Sequence, residues 1–174
     1  KTPPCTEAVI KSGISRVVVG AKDPNPLVAG RGMEILRESG ISVEMSELES
    51  ECEALNRIFF HYIRTGTPYV VMKYAMTLDG KTATSSGRSR WISGEVSREN
   101  VHRTRNMLTA IMTGSGTVLA DDPELTCRIE GGRDPIRIIC DSRLRIPLDA
   151  KVCRNTDRIR TIVATCTKDR LRIE

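Results

Sequence analysis

Apolar positions recur along this chain in two alternating rhythms. Runs of β-branched residues mark strands, and spacings of three and four mark helices. Arg16-Val17-Val18-Val19-Gly20-Ala21 reads as a buried strand. Ile41-Ser42-Val43-Glu44-Met45 alternates apolar and polar, as a half-exposed strand does. Further strands are predicted over 69–74, 110–113, 136–140 and 161–164. Helical stretches lie between them. One opens at Cys5 after Pro4, carries Glu7 in its first turn and ends near Ser12-Gly13. A second covers 33–39 and closes on Gly40. The strongest helix signal begins with Ser46 and Glu49, spaced as a capping box. Leu48, Cys52, Leu55, Ile58, Phe59 and Tyr62 then fall on one face, and the helix is expected to end near Thr65-Gly66. Ser93 is placed to cap a helix reaching about Met107. Asp23-Pro24-Asn25-Pro26 reads as a loop, because each proline restrains itself and its predecessor, and Asp79-Gly80 reads as a turn.

Strands alternating with helices predict an α/β architecture with sheets covered on their faces. At Thr67-Pro68 the composition shifts from helix to strand, which predicts two domains, 1–66 and 67–174. A length of 174 residues suits one domain or pieces of two. Aromatics make up only 3% of the chain, so its core must be aliphatic. No apolar run approaches the ~20 residues that cross a bilayer, and no charged-then-apolar leader opens the chain. The opening Lys1-Thr2-Pro3-Pro4-Cys5 does not read as a native N-terminus. The six cysteines, Cys5, Cys52, Cys127, Cys140, Cys153 and Cys166, include no CxxC pair. Reduced thiols in the cytoplasm are therefore expected.

Charge is uneven. Residues 1–66 hold 8 Lys and Arg against 9 Asp and Glu, whereas residues 67–174 hold 19 against 13. The basic excess suits an anionic ligand of the second part: a phosphorylated substrate, a dinucleotide or nucleic acid. Cys5 opens a helix, where the dipole favours the thiolate that a metal requires, but by position alone a structural cysteine is the commoner reading. Arg105 and Arg128 could clamp a phosphate, although on spacing alone each reads as a solvated surface arginine. Trp91 is the only tryptophan and could wall a cofactor or pack in the core. Thr117 and Asp121 follow the strand over 110–113, and in open α/β sheets ligands bind beyond strand carboxyl ends. Gly114-Ser115-Gly116 lacks the rest of a dinucleotide fingerprint.

Longer motifs narrow the reading. Lys1-Thr2-Pro3-Pro4-Cys5, followed by Asp23-Pro24-Asn25-Pro26-Leu27-Val28-Ala29-Gly30-Arg31-Gly32, resembles the zinc deaminase half of the bifunctional riboflavin-biosynthesis deaminase/reductases. Lys73-Tyr74-Ala75-Met76-Thr77-Leu78-Asp79-Gly80-Lys81-Thr82-Ala83 resembles the opening of their reductase half. Gly87-Arg88-Ser89-Arg90-Trp91-Ile92-Ser93, then Arg105, then the run from Gly116 through Asp121-Asp122-Pro123-Glu124-Leu125-Thr126-Cys127-Arg128, then Cys140-Asp141-Ser142 follow in family order.

The resemblance implies the end of a cytidine-deaminase-like domain followed by the start of a dihydrofolate-reductase-like domain. It implies a zinc ligand at Cys5, with the remaining ligands and the proton-shuttling Glu outside this sequence. It implies that Ala75, Trp91, Thr117, Asp121 and Ser142 contact NADP(H), and that Ser89, Arg105, Leu125 and Arg128 contact a phosphorylated ribosylaminopyrimidine substrate. Lys73 corresponds to a catalytic lysine near the reacting sugar carbon. The implied chemistry is deamination of 2,5-diamino-6-ribosylamino-4(3H)-pyrimidinone 5′-phosphate, then NADPH reduction of 5-amino-6-(5-phosphoribosylamino)uracil. The sequence is expected to be an internal fragment with incomplete sites, and the parent a homo-oligomer. Two alternatives remain: a reductase of the same fold acting on another pyrimidine or pterin, and a basic nucleic-acid-binding module. Few stacking aromatics and no recognition motif speak against the latter.

Overall fold

In the first unit, Lys1–Lys73, the valine run makes strand β1 (Arg16–Val19). It pairs in parallel with β2 (Ser42–Met45), in a register from Arg16↔Ser42 to Val19↔Met45. Parallel neighbours need a crossover, and helix α2 (Arg31–Glu38) provides it. Helix α1 (Cys5–Lys11) packs on α2. Gly40 follows α2 with φ +82°, a left-handed turn that favours glycine and ends the helix as expected. The computed structural model describes residues 4–169 apart from 27 and 29. Residues 1–3 of the opening motif, Leu27 and Ala29 of the proline loop, and Glu174 therefore lie outside the described residues.

The long helix expected after Ser46 is broken in two, α3 (Glu49–Leu55) and α4 (Arg57–Thr65). At the break, the Asn56 side chain donates to the Cys52 carbonyl and competes with the backbone ladder. The capping box does not form either. Ser46 Oγ accepts from the Leu48 N–H instead, and α3 starts without a side-chain cap. The break also turns the apolar face. Phe60 becomes the buried residue of α4, while Leu55 is 85% and Tyr62 57% exposed. Arg64 of α4 reaches back to Glu53 of α3 with both guanidinium amines. At the end of β1, a Cβ on Gly20 would sit 2.6 Å from Cys52 Sγ, so this close approach of α3 requires glycine.

The strand expected over 69–74 does not form. Backbone N–H and C=O groups need a ladder to make a strand, and no described strand pairs with this segment. Val70 and Met72 stand 81% and 82% exposed. The Asp79-Gly80 turn does form, with the Gly80 N–H donating to the Thr77 carbonyl at 2.9 Å.

The second unit, Tyr74–Glu174, begins its regular structure with α5 (Glu95–Met107). Its cap is Gly94 rather than Ser93, whose carbonyl accepts from the Arg98 guanidinium at 2.6 Å. Three parallel strands follow in the order β3 (Ala110–Gly114), β4 (Ile136–Cys140), β5 (Thr161–Ala164). Their runs are β-branched and aliphatic, as in parallel strands, but only β4 buries residues fully, while Met112 of β3 stays 65% exposed. Helix α6 (Ser115–Asp121) springs directly from β3, where the sequence reads as a glycine-rich loop. The core is aliphatic, as the composition requires: Val118, Leu125, Ile139, Ala150 and Val152.

Central strand β4 buries alternate residues, Arg137 and Ile139. Among the described residues the Arg137 guanidinium forms no ion pair with a carboxylate. It donates instead to the carbonyls of Lys151, Val152 and Arg154, so it pins a one-turn 3-10 segment, Lys151–Cys153.

Candidate functional site

Helix α5 sets one row of functional side chains. Arg98, His102 and Arg105 are spaced by four and three residues, so they lie on one helix face. Trp91 precedes the helix and is 71% exposed, and Arg98 stacks over its ring at 4.3 Å. The segment 126–128 lies alongside. Arg105 donates to the Thr126 carbonyl at 2.8 Å, and Cys127 Sγ contacts the His102 carbonyl at 3.4 Å. Arg128 approaches His102 twice, its backbone N–H 3.2 Å from Nδ1 and its Nε–H 3.3 Å from Nε2. Asp134 accepts from the Cys127 N–H at 2.7 Å and so fixes this segment.

The cluster is rich in donors. Arg105 Nε is buried without a hydrogen-bond partner. Neither Arg105 nor Arg128 forms an ion pair with a carboxylate among the described residues. Burial pushes the His102 pKa below its ordinary value; Arg105 and Arg128 push it further, and the Thr126 carbonyl opposes them. Burial and the Arg128 charge likewise disfavour the charged form of Arg105. Two cations held together with a neutral imidazole form a receptor for an anion.

A second group stands at the carboxyl ends of β3 and β4, which pair at Gly114↔Cys140. Asp141 follows β4, and its side chain is fully buried. Its Oδ2 accepts from the N–H groups of Arg145 and Ile146 at 2.6 and 2.8 Å. Burial alone would raise its pKa, but donation from the Ile146, Arg145 and Arg143 N–H groups and from Ser115 outweighs that and holds it below the ordinary value. The Arg145 guanidinium in turn donates to Ser115 Oγ at 2.9 Å. This frame ties the loop after β4 to the start of α6. Beside it, Thr117 is exposed in the first turn of α6 and Ser142 is exposed just after β4; Asp121, also exposed, lies at the far end of α6. Added Cβ atoms on Gly114 and Gly116 would meet nothing within 4 Å, so this strand-end surface is open.

Of the residues singled out from sequence, the structure therefore brings Arg105 and Arg128 together and places Trp91 beside the same helix face through Arg98. Thr117, in the first turn of α6, and Ser142, just after β4, flank the sheet's carboxyl end. Asp121 instead closes α6 beside Asp122, which accepts from the Lys151 N–H in the segment that Arg137 holds near the start of β4. Leu125 packs in the core at 6% exposure with φ +56°, leaving its backbone at the bend that delivers Arg128. Ser89 and Ala75 are half-buried in irregular segments, and Lys73 is exposed at the end of the first unit. Cys5 is exposed at the first turn of α1, and among the described residues no group of three His, Cys, Asp or Glu side chains is set to hold a metal. One thiol does not make a zinc site. Sequence reading gave no role to His102, Ser115, Asp141 or Arg145. Asp141 lay inside the Cys140-Asp141-Ser142 motif, and His102 stands one helical turn before Arg105.

These features define a parallel α/β protein with an acceptor-poor basic cluster on one helix and an exposed surface at its strand ends. The chain belongs to the RibD C-terminal domain family, whose model matches residues 68–173. It is 52% identical over its whole length to the riboflavin biosynthesis protein RibD of Actinobacillus pleuropneumoniae, covering 46% of that protein. It is 49% identical over 166 residues to the RibD of Aquifex aeolicus, again covering 46% of it. Among solved structures, it resembles a diaminohydroxyphosphoribosylaminopyrimidine deaminase/5-amino-6-(5-phosphoribosylamino)uracil reductase from Thermotoga maritima, with a TM-score of 0.88 and 43% identity. That match covers 97% of this chain and 47% of the other. RibD from Acinetobacter baumannii matches with a TM-score of 0.84 and 44% identity over 94% of this chain and 47% of that one. The chain thus spans about half the length of the relatives it matches. Its parallel α/β architecture is theirs, and no helix among the described residues is long and apolar enough to cross a membrane.

Proposed function

We propose that residues 67–174 supply part of an NADPH-dependent reductase acting on 5-amino-6-(5-phosphoribosylamino)uracil in riboflavin biosynthesis. Residues 1–66 would then be the end of the deaminase domain that precedes it. The observation that carries this reading is the Arg105–His102–Arg128 cluster, a site short of acceptors in a chain of the RibD C-terminal domain family. A sugar phosphate supplies the missing acceptor oxygens.

Arg105 and Arg128 bind that phosphate by charge-assisted hydrogen bonds, and Ser89 and the Leu125 backbone complete the substrate contacts. The strand-end surface fits an anionic dinucleotide: exposed hydroxyls at Thr117 and Ser142 and the Arg145 guanidinium stand beyond the carboxyl ends of β3 and β4. Ala75, Trp91 and Asp121 are assigned as further cofactor contacts in this reading. When bound, NADPH supplies the hydride. The side chains hold the two anions in fixed orientation, which is most of what hydride transfer asks of a protein. Lys73 is assigned the stabilisation of oxygen charge developing on the sugar. Cys5, which opens α1, would supply one thiolate ligand to a zinc ion of the deaminase domain in this reading.

Titration of the chain with ribose 5-phosphate and with NADPH tests the assignment. Arg105→Ala and Arg128→Ala should each weaken ribose 5-phosphate binding by about tenfold or more, as expected for loss of a charge-assisted hydrogen bond, and leave NADPH binding intact. Thr117→Glu and Ser142→Glu should do the reverse. Binding of both ligands that is indifferent to all four substitutions would remove the reading.

A further inference from the structure

His102 stands where its neutral and charged forms have different partners. Both ring nitrogens are approached by N–H donors of Arg128, at 3.2 and 3.3 Å. A neutral imidazole has one acceptor nitrogen and an imidazolium has none. One of the two contacts is therefore a hydrogen bond in the neutral ring, and protonation removes it. Three residues further along the same helix, Arg105 keeps a buried Nε–H with no acceptor. The charged and titratable groups acting on the ring are Arg105 from α5 and Arg128 from the facing segment; the Thr126 carbonyl is the one group that favours the charged form. Cys127 also lies against it, its Sγ touching the His102 carbonyl, and the Asp134 carboxylate accepts from the Cys127 N–H on the same segment. Donors exceed acceptors here, and the ring is the member held directly by Arg128 whose donor count changes with a proton.

We propose that His102 is a positioning and binding residue of the phosphate site, coupled to a proton. In the free protein the neutral ring holds the Arg128 guanidinium. When a tetrahedral dianion draws Arg128 Nε–H and Arg105 Nε–H onto its oxygens, His102 takes a proton from solvent and presents Nε2–H to the same anion. No covalent bond changes; one proton and one dianion are bound together. By reciprocity, an anion that favours the charged ring binds more tightly at low pH. This inference rests on the phosphate-site reading given above.

Sulfate is the suitable first probe, because a phosphate monoester itself titrates near pH 6 and sulfate does not. The chain has two histidines, His61 and His102, so histidine-labelled NMR of the unaltered protein follows both rings. Saturating sulfate should raise the His102 midpoint by about one unit and leave that of His61 in place. The matching calorimetric result is a sulfate affinity about tenfold higher at pH 5 than at pH 8. His102→Gln keeps an acceptor for Arg128 but cannot charge, and should flatten that profile without abolishing binding.

A His102 midpoint unmoved by saturating sulfate overturns the inference and leaves the phosphate site standing. Sulfate binding that is absent, or that survives both Arg105→Ala and Arg128→Ala, overturns the inference and the phosphate-site reading together. Two further arms identify the source of the phosphate. Ribose 5-phosphate should move the His102 signal and NADP+ should not. A shift with NADP+ alone keeps the proton-linked anion site but overturns its assignment to the substrate.

Discussion

Asp141 shows how a single buried carboxylate organises the loop around it. Its Oδ2 receives two backbone donors from the loop after β4, and its neighbour Ser115 receives the Arg145 guanidinium. Because these donors hold its pKa below the ordinary value near 3.8, the unfolded chain binds more protons in that acid window. The stability it contributes is complete above the ordinary value and is lost as pH falls through the lower folded value. Asp141→Asn should cost about 1–3 kcal/mol at neutral pH, the usual effect of weakening buried hydrogen bonds to a charged acceptor. It should also flatten the acid limb of a urea-unfolding profile; an unchanged profile would show that the loop does not depend on the charge. His102 had no role legible in the sequence, and Asp141 was marked there only as part of the Cys140-Asp141-Ser142 motif. The groups that perturb His102 lie partly 26 residues away at Arg128, a separation that no local pattern spans.

Among the elements, the strands of the second unit were legible because buried parallel strands are continuous aliphatic runs, and 136–140 and 161–164 match the strands observed. Two elements were not. Helix α6 opens on Gly114-Ser115-Gly116, which reads as loop until Val118 finds the core. The helix expected over 46–65 breaks because the Asn56 amide competes for a backbone carbonyl, a choice that apolar periodicity does not register. Arg137 joins β4 to the 3-10 segment by donating to three carbonyls. Arg137→Met keeps much of the apolar stem and strands those acceptors. It should destabilise the second unit by on the order of 3 kcal/mol in denaturant unfolding. Loss of less than a few tenths of that would mean water replaces the guanidinium freely.

Across the whole molecule, the second unit carries 18 Lys and Arg against 13 Asp and Glu, and the first carries 9 of each. A positive surface concentrates anions over about a Debye length. Ribose 5-phosphate affinity should therefore fall severalfold as salt rises from ~50 to ~500 mM, in calorimetry with a non-binding salt; an affinity independent of salt would assign binding to uncharged contacts. The chemical alphabet of the ligand surface was present in the linear chain. The motifs placed it in its family, the strand runs announced a parallel α/β architecture, and the basic balance pointed to anions. Folding alone decided that Leu125 would turn its side chain to the core, that 69–74 would find no described strand to pair with, and that His102 would stand between two arginines. Local pattern reports the preferences of neighbouring residues, whereas burial, pairing and charge proximity depend on which distant segments meet.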